Sequence, residues 1–212
     1  MMRQGTPSDQ WIYQFDRALR TLVTPTANAK APIPVSPSDE ALTDFETRHV
    51  VGAMRVNHCG EVCLQGLYQG QRLFAQRPAA SAQMERSATK NLEHLARCSE
   101  RLHQLDSRTS LLAPGFYMAA LSIGATTGAL SERVGLGVLA ASEAQAAKRL
   151  SEQQSRLPDT DHTSSALLRQ MSTDKHHHAQ LALEAGGLRL PAPVQWMMRG
   201  AFKAVSKTTY HL

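Results

Sequence analysis

The sequence predicts an all-α protein, on three observations. The chain has 212 residues, 42% of them hydrophobic and 5% aromatic, so it is long enough to bury one core. From about residue 38 onward it consists of segments rich in Ala, Leu, Gln, Glu and Arg, with almost no runs of β-branched residues. Apolar residues in these segments recur at alternating steps of three and four, which keeps them on one helix face. We therefore predict one helical domain over residues 41–212.

Residues 1–40 are predicted to form a mobile N-terminal arm. A short amphipathic stretch occupies residues 11–22. Residues 1–20 contain no continuous apolar run, so no signal peptide is predicted and the chain is expected to stay in the cytosol. Each proline that follows lacks a backbone donor and disfavours helix in the residue before it. These prolines are Pro25, Pro32, Pro34 and Pro37.

The charge balance narrows the classes of partner. The chain carries 23 Lys and Arg against 18 Asp and Glu, a formal net charge of +5, which suits nucleic acid or the acidic face of a membrane. No helix-long basic stripe with stacking aromatics is present, so nucleic acid is not the expected partner. Cys59, Cys63 and Cys98 form neither a CxxC pair nor an even disulfide framework, which predicts buried thiols in a reducing compartment.

Prolines and glycines divide the helical part into six predicted helices. The first ends near Pro78, the fourth ends before Pro158, and the fifth ends at the Gly186-Gly187 pair. The predicted helices cover residues 43–76, 79–106, 114–130, 132–157, 161–185 and 193–207.

The third predicted helix has no charge, because residues 109–131 contain no Lys, Arg, Asp or Glu. About 20 apolar residues span a bilayer, but Gly, Ser and Thr make this stretch only moderately apolar. Three readings stay open: packing in the core, shallow contact with a membrane, and a membrane span.

The sixth predicted helix combines cations with large apolar side chains, as a helix at a membrane interface would. Packing as an ordinary docking helix is the alternative. The residues of this helix that carry the pattern are Arg199, Lys203, Lys207, Trp196, Met197, Met198 and Phe202, and Arg189 lies just before it.

Each of the four long helices has an apolar seam that is interrupted near its middle by polar residues. The seam of the first runs through Val50, Met54, Asn57, Glu61, Leu64 and Tyr68. One polar residue on such a stripe is most often a satisfied core group, but four coincident interruptions indicate a site. The interrupting residues are Glu61, Asn91 with His94, Glu143, and Lys175 with His178.

The spacing of these residues repeats along the chain. Glu61 lies 33 residues before His94, and Glu143 lies 35 residues before His178. This predicts a duplicated helical hairpin, with an acid on its first helix and a histidine on its second. Four-helix bundles that hold two metals take one Glu from each of two helices and a Glu-x-x-His pair from each of the others.

Two stretches resemble the Coq7 family, the di-iron demethoxyubiquinol hydroxylases of ubiquinone biosynthesis. Residues 54–71, MRVNHCGEVCLQGLYQGQ, resemble the family's Arg-Val-Asn-His-x-Gly-Glu signature, and residues 182–193, ALEAGGLRLPAP, resemble its bacterial branch. The similarity runs from about residue 48 to about residue 206. It implies a ferritin-like four-helix bundle of two duplicated hairpins, with extra hydrophobic and C-terminal helices.

The resemblance also implies a monooxygenase that inserts one oxygen atom from O2 into the ring of a polyprenyl benzoquinol. It implies a peripheral protein at the cytoplasmic face of the cell membrane, with other ubiquinone-biosynthesis proteins as partners. The cofactor would be iron, about two ions per chain, with no catalytic residue beyond the metal centre. Glu61, His94, Glu143 and His178 match four of the family's metal ligands.

The two remaining ligand positions depart from the family. The glutamates that bridge both irons are replaced by Asn91 and Lys175, which are not expected to be ligands. Glu93 and Asp174 are one residue away and point about 100° off the seam. The negative charge of two carboxylates and one ammonium is too small to balance the positive charge of two ferrous ions. We predict that the Lys175 ammonium lies between Glu61 and Glu143 as their counter-ion, with Asn91 bridging by hydrogen bonds.

Two alternatives to an active hydroxylase follow. In the first, the chain lacks metal and serves as a quinone-binding or scaffolding subunit of the biosynthetic complex, as the changes at Asn91 and Lys175 indicate. A ferritin-like iron store or oxidase without quinone agrees less well with the stretch around Glu61. His58, three residues before Glu61, suits either a partner of a ligand or packing. Tyr68, on the same stripe as Glu61, suits either a bond to a site carboxylate or the core.

Two further histidines adjoin His178 in the sequence. Successive side chains on one helix point about 100° apart, so His176 and His177 are predicted to lie on the solvated surface rather than at the site.

Overall fold

The computed structural model describes residues 41–211, together with the helical residues Asp16, Ala18, Leu19 and Thr21. The predicted mobile arm falls almost wholly outside these residues and stays a prediction.

Six helices and no strand form between residues 41 and 211, which confirms the all-α prediction. The helices are α1 (Asp44–Arg72), α2 (Pro78–Gln104), α3 (Ala113–Leu130), α4 (Glu132–Gln154), α5 (His162–Glu184) and α6 (Ala192–Thr209). The largest difference from prediction is at the end of α1, which stops at Arg72 rather than at residue 76. There Leu73 and Phe74 donate to Gly70 and Gln71, three residues back, so the last turn tightens and the helix ends well before Pro78.

Polar side chains fix the starts of three helices. At α1, Thr43 and Glu46 form a reciprocal capping box, in which the Glu46 carboxylate accepts from the Thr43 backbone N–H at 2.8 Å. Ser131 caps α4, and Asp161 caps α5 by accepting from the Ser164 N–H at 2.9 Å. These caps fix the starts of α1, α4 and α5, whereas α2 begins after Arg77 without a side-chain cap.

The long helices form two hairpins, α1 with α2 and α4 with α5, as the repeated spacing predicted. Helix α1 also contacts α3, α4 and α6, so it is the central element of the bundle. The contact with α3 is backbone to backbone: a Cβ at Gly70 would lie 2.2 Å from the Leu121 carbonyl oxygen. Glycine is therefore required there for the two helices to approach this closely.

The uncharged helix α3 packs one face in the core and leaves the other outside. Tyr117 is fully buried and donates to Gln69 of α1. Met118, Ile123 and Leu130 are 55%, 53% and 73% exposed. The prediction that this helix packs in the core is therefore confirmed for one of its faces. None of the helices in the described part of the chain combines the length and apolar character needed to cross a bilayer.

The predicted seams all face the interior of the bundle. The six interrupting residues are each at most 7% exposed, and Lys175, Asn91 and Glu143 have no exposed surface. The polar residues that interrupt the four seams therefore meet at one level of the buried core.

Candidate functional site

A buried lysine forms the middle of the site. The Lys175 Nζ atom lies 2.6 Å from Oε2 of Glu61 and 3.4 Å from Oε2 of Glu143. The two acids come from α1 and α4, and the lysine comes from α5. The predicted position of the ammonium between the two carboxylates is confirmed.

Asn91 connects the lysine to helix α1. Its Oδ1 accepts a hydrogen bond from Lys175 Nζ at 2.8 Å. Its Nδ2 donates to the backbone carbonyl of Glu61 at 2.9 Å and to Oε1 of Gln65 at 3.1 Å. The predicted bridging role of Asn91 is confirmed, although it reaches the backbone of Glu61 rather than either carboxylate.

The two predicted histidines flank this centre. His94 Nδ1 lies 3.4 Å from Glu61 Oε2, and His178 Nδ1 lies 3.7 Å from Glu143 Oε1. Both Nδ1 atoms are buried, and neither makes a hydrogen bond to any residue that the structure describes. The four residues that match family ligands are therefore brought together in two acid–histidine pairs, one on each side of Lys175.

Tyr68 closes the site beside Glu143. Its hydroxyl donates to Glu143 Oε1 at 2.5 Å, which confirms the reading of this tyrosine as a partner of a site carboxylate. Burial raises the pKa of Tyr68 well above its usual range, and the negative charge of Glu143 raises it further. The hydroxyl therefore stays protonated and acts as a hydrogen-bond donor.

Electrostatics keep the centre ionised despite its burial. Burial alone lowers the pKa of Lys175, but the charges of Glu143 and Glu61 outweigh burial and raise this pKa above its ordinary value. Burial likewise favours the neutral form of Glu61, yet Lys175 and then His94 bring the pKa of Glu61 down to about 2. The pKa of Glu143 is lowered in the same way against its burial. At neutral pH the centre is thus two carboxylates and one ammonium.

Asp174 is a site residue that the seam pattern does not predict. It lies off the seam, as expected, but its Oδ2 lies 2.9 Å from Nε2 of His94, on the ring edge opposite Glu61. This contact depends on the relative rotation of α2 and α5, for which the sequence carries no signal. Asp174 therefore fixes the orientation of the His94 ring.

The remaining predicted residues divide between core and surface. His58 is buried, at 3% exposure, and its Nδ1 has no hydrogen-bond partner in the described part of the chain. His176 and His177 are exposed, as predicted. Glu93 pairs with Lys90 at 3.1 Å rather than entering the site.

We expect His58 to make the fold lose stability as pH falls from about 6.5 to about 4. Burial lowers the pKa of His58 to about 4, against the attraction of Glu61, whereas the unfolded chain binds this proton near pH 6.5. The unfolded state therefore takes up a proton first, and about 3 kcal/mol of unfolding free energy is lost across this window. Urea unfolding at several pH values measures the slope.

The matched comparison is His58→Gln against His103→Gln, since His103 is exposed on α2. His58→Gln should flatten the decline between pH 6.5 and 4, and His103→Gln should leave it unchanged. Equal slopes for all three chains would contradict the assignment.

Comparison with known proteins gives one consistent result over the length of the chain. The family model of ubiquinone biosynthesis protein COQ7 matches residues 48–211. The chain belongs to the Coq7 family. A 3-demethoxyubiquinol 3-hydroxylase of Pseudomonas syringae pv. syringae (strain B728a) is 46% identical over 99% of this chain and 98% of its own. A protein of the same name from Chromohalobacter salexigens is 47% identical over the full length of both chains.

The residues present do not fit the di-iron centre that the Coq7 family implies. The side-chain charge around Lys175 is −1, from two carboxylates and one ammonium, against +4 for two ferrous ions. Lys175 Nζ lies at 2.6 Å from the carboxylate that a metal would need. Among the described residues, no group of three or more His, Cys, Asp and Glu converges as a metal site. The Lys175 ammonium occupies the space between the carboxylates of Glu61 and Glu143.

Proposed function

We propose that this chain acts at the hydroxylation of 3-demethoxyubiquinol in ubiquinone biosynthesis, with a polyprenyl benzoquinol and O2 as reactants. The observation that carries this proposal is the full-length relation to proteins named for that reaction, at 44–47% identity. Glu61, His94, Glu143 and His178, which match the family's ligands, stand at one buried centre and support the same assignment.

The proposed location is the cytoplasmic face of the cell membrane, where the chain, as a peripheral protein, would bind a polyprenyl quinol. Exposed apolar side chains on α3 and α6 support this location, among them Ile123, Trp196 and Met197. Other proteins of ubiquinone biosynthesis are the expected protein partners.

A second candidate function rests on the ion pair of Lys175 with Glu61 and Glu143. In this candidate the chain is a metal-free member of the family that binds the quinol and supports the biosynthetic complex, without carrying out the oxygen chemistry. The Lys175 ammonium neutralises part of the negative charge that would otherwise attract divalent ions. The fold therefore needs no metal ion between Glu61 and Glu143 to compensate their charge.

The two candidates are separated by producing the chain in a bacterium that lacks its own 3-demethoxyubiquinol hydroxylase. The quinone pool is measured by mass spectrometry, and iron is measured in the purified chain. Restored ubiquinone supports the hydroxylase. Persistent demethoxyubiquinone, with the same compound bound to an iron-free chain, supports the second candidate. A chain that neither restores ubiquinone nor binds a quinone contradicts both.

A further inference from the structure

A basic cleft lies between α4, α5 and α6, apart from the buried centre. Its volume is about 760 Å³. Five cationic side chains and one carboxylate line it, a net formal charge of +4 against +5 for the whole chain. These residues are Lys148, Arg149, Arg189, Arg199, Lys203 and Glu152. This one cleft therefore carries most of the chain's excess positive charge.

Among the residues that the structure describes, Arg149 forms no ion pair in the cleft. Its guanidinium carbon lies 3.5 Å from the centre of the Phe202 ring, so α6 provides a platform for it. Gly60 of α1 leaves room on another side, since a Cβ there would lie 3.1 Å from Arg149 Nη2. Within the described part of the chain, the buried Nε atom of Arg149 has no hydrogen-bond partner. A guanidinium fixed in this position, with its Nε–H unpaired among the described residues, can donate to an acceptor that enters the cleft.

The chain's own acid in the cleft does not meet this need. Glu152 lies 3.9 Å from Lys148, one turn away on the exposed side of α4. Burial lowers the pKa of Arg149 to about 10, against the attraction of Glu61, Cys63 and Glu152, so the group remains a cation at neutral pH. An unpaired cation of this kind gains from a bound anion.

Phosphate is the anion that this arrangement suits. Arginine donates two parallel hydrogen bonds to phosphate oxygens, and lysine adds a mobile point charge. The volume exceeds that of a bare ion and leaves room for an organic group attached to the phosphate.

We propose that this cleft binds a phosphate group carried by an organic molecule, with Arg149, Arg199 and Lys203 as its ligands. An anionic phospholipid headgroup and a soluble phosphate ester share this chemistry. Trp196 and Met197, 66% and 70% exposed on the same helix as Arg199 and Lys203, favour the lipid source. That preference rests on the proposed membrane location, whereas the phosphate site itself does not.

Two binding assays distinguish the sources. The full chain is titrated with vesicles of phosphatidylcholine with and without phosphatidylglycerol, and separately with glycerol 3-phosphate in solution. Arg199→Gln/Lys203→Gln is the main variant because both side chains are exposed, and Arg149→Lys tests the stacked guanidinium while keeping its charge. Arg86→Gln/Arg169→Gln is the matched control, since it removes two exposed cations outside the cleft.

The cleft variants should weaken binding by about tenfold or more, and the control should change it by less than about twofold. If the cleft variants lose binding to anionic vesicles, the phosphate comes from a lipid headgroup. If they lose binding to glycerol 3-phosphate, it comes from a soluble phosphate ester. Equal losses in cleft and control variants, or no binding of either probe, would overturn the site. Since neither assay measures hydroxylation, the result stands independently of the proposed reaction.

Discussion

We expect the unchanged chain to bind no iron and its Asn91→Glu/Lys175→Glu variant to bind about two iron ions per molecule. The double change removes the ammonium between Glu61 and Glu143 and adds a carboxylate to each helix that carries a site histidine. The side-chain charge at the centre falls from −1 to −4, which balances two ferrous ions. Iron per chain is measured after anaerobic reconstitution and desalting.

Two control variants make this result specific. Asn91→Gln/Lys175→Gln alters the same positions without adding carboxylates, and should bind no iron. Thr89→Glu/His176→Glu adds two carboxylates at exposed positions of the same two helices, and should bind none after desalting. Two irons in the unchanged chain, or none in a folded Asn91→Glu/Lys175→Glu variant, would refute our account of the centre.

Removing the lysine alone should be strongly destabilising. In Lys175→Met, the buried carboxylates of Glu61 and Glu143 lose the cation that lies at 2.6 and 3.4 Å. Breaking a buried ion group by deleting one partner costs about 3–5 kcal/mol, because the remaining charge is uncompensated. Urea unfolding at pH 7 measures this loss as a decrease in the free energy of unfolding.

A neutral version of the whole group provides the comparison. Glu61→Gln/Glu143→Gln/Lys175→Met removes all three charges and should recover most of the loss. The pH profiles should also diverge. The unchanged chain loses stability as pH falls from about 4.5 towards 2, through the lowered pKa of Glu61. In Lys175→Met burial raises the pKa of both carboxylates, so lowering the pH from 7 restores stability. Equal stability of Lys175→Met and the unchanged chain at pH 7 would contradict this role.

Residues on the seams were predictable because helix periodicity is a local property. Steps of three and four place Glu61, Asn91, Glu143 and Lys175 on inward faces, and all four are fully or almost fully buried. The repeated acid-to-histidine spacing also predicts the two hairpins that the fold contains. Helix ends are less well predicted, since the end of α1 depends on a tightened last turn rather than on Pro78.

Contacts between helices were not predictable from the same pattern. Asp174 lies outside the seam by periodicity, yet it contacts His94 because α2 and α5 are rotated to bring the two side chains together. The platform of Phe202 under Arg149 joins residues 53 positions apart on different helices. Neither contact can be inferred from the spacing of residues along either helix.

The sequence by itself determined the helical class, the inward seams, the relation to the Coq7 family and the substitution of both bridging positions. These follow from periodicity and from residue identity, which are properties of short stretches. The tertiary structure alone decided that the Lys175 ammonium reaches both acids, that Asp174 orients His94, and that the excess cations meet in one cleft. Those facts depend on distances of a few ångströms between helices, which are determined by how the side chains of the whole core pack together.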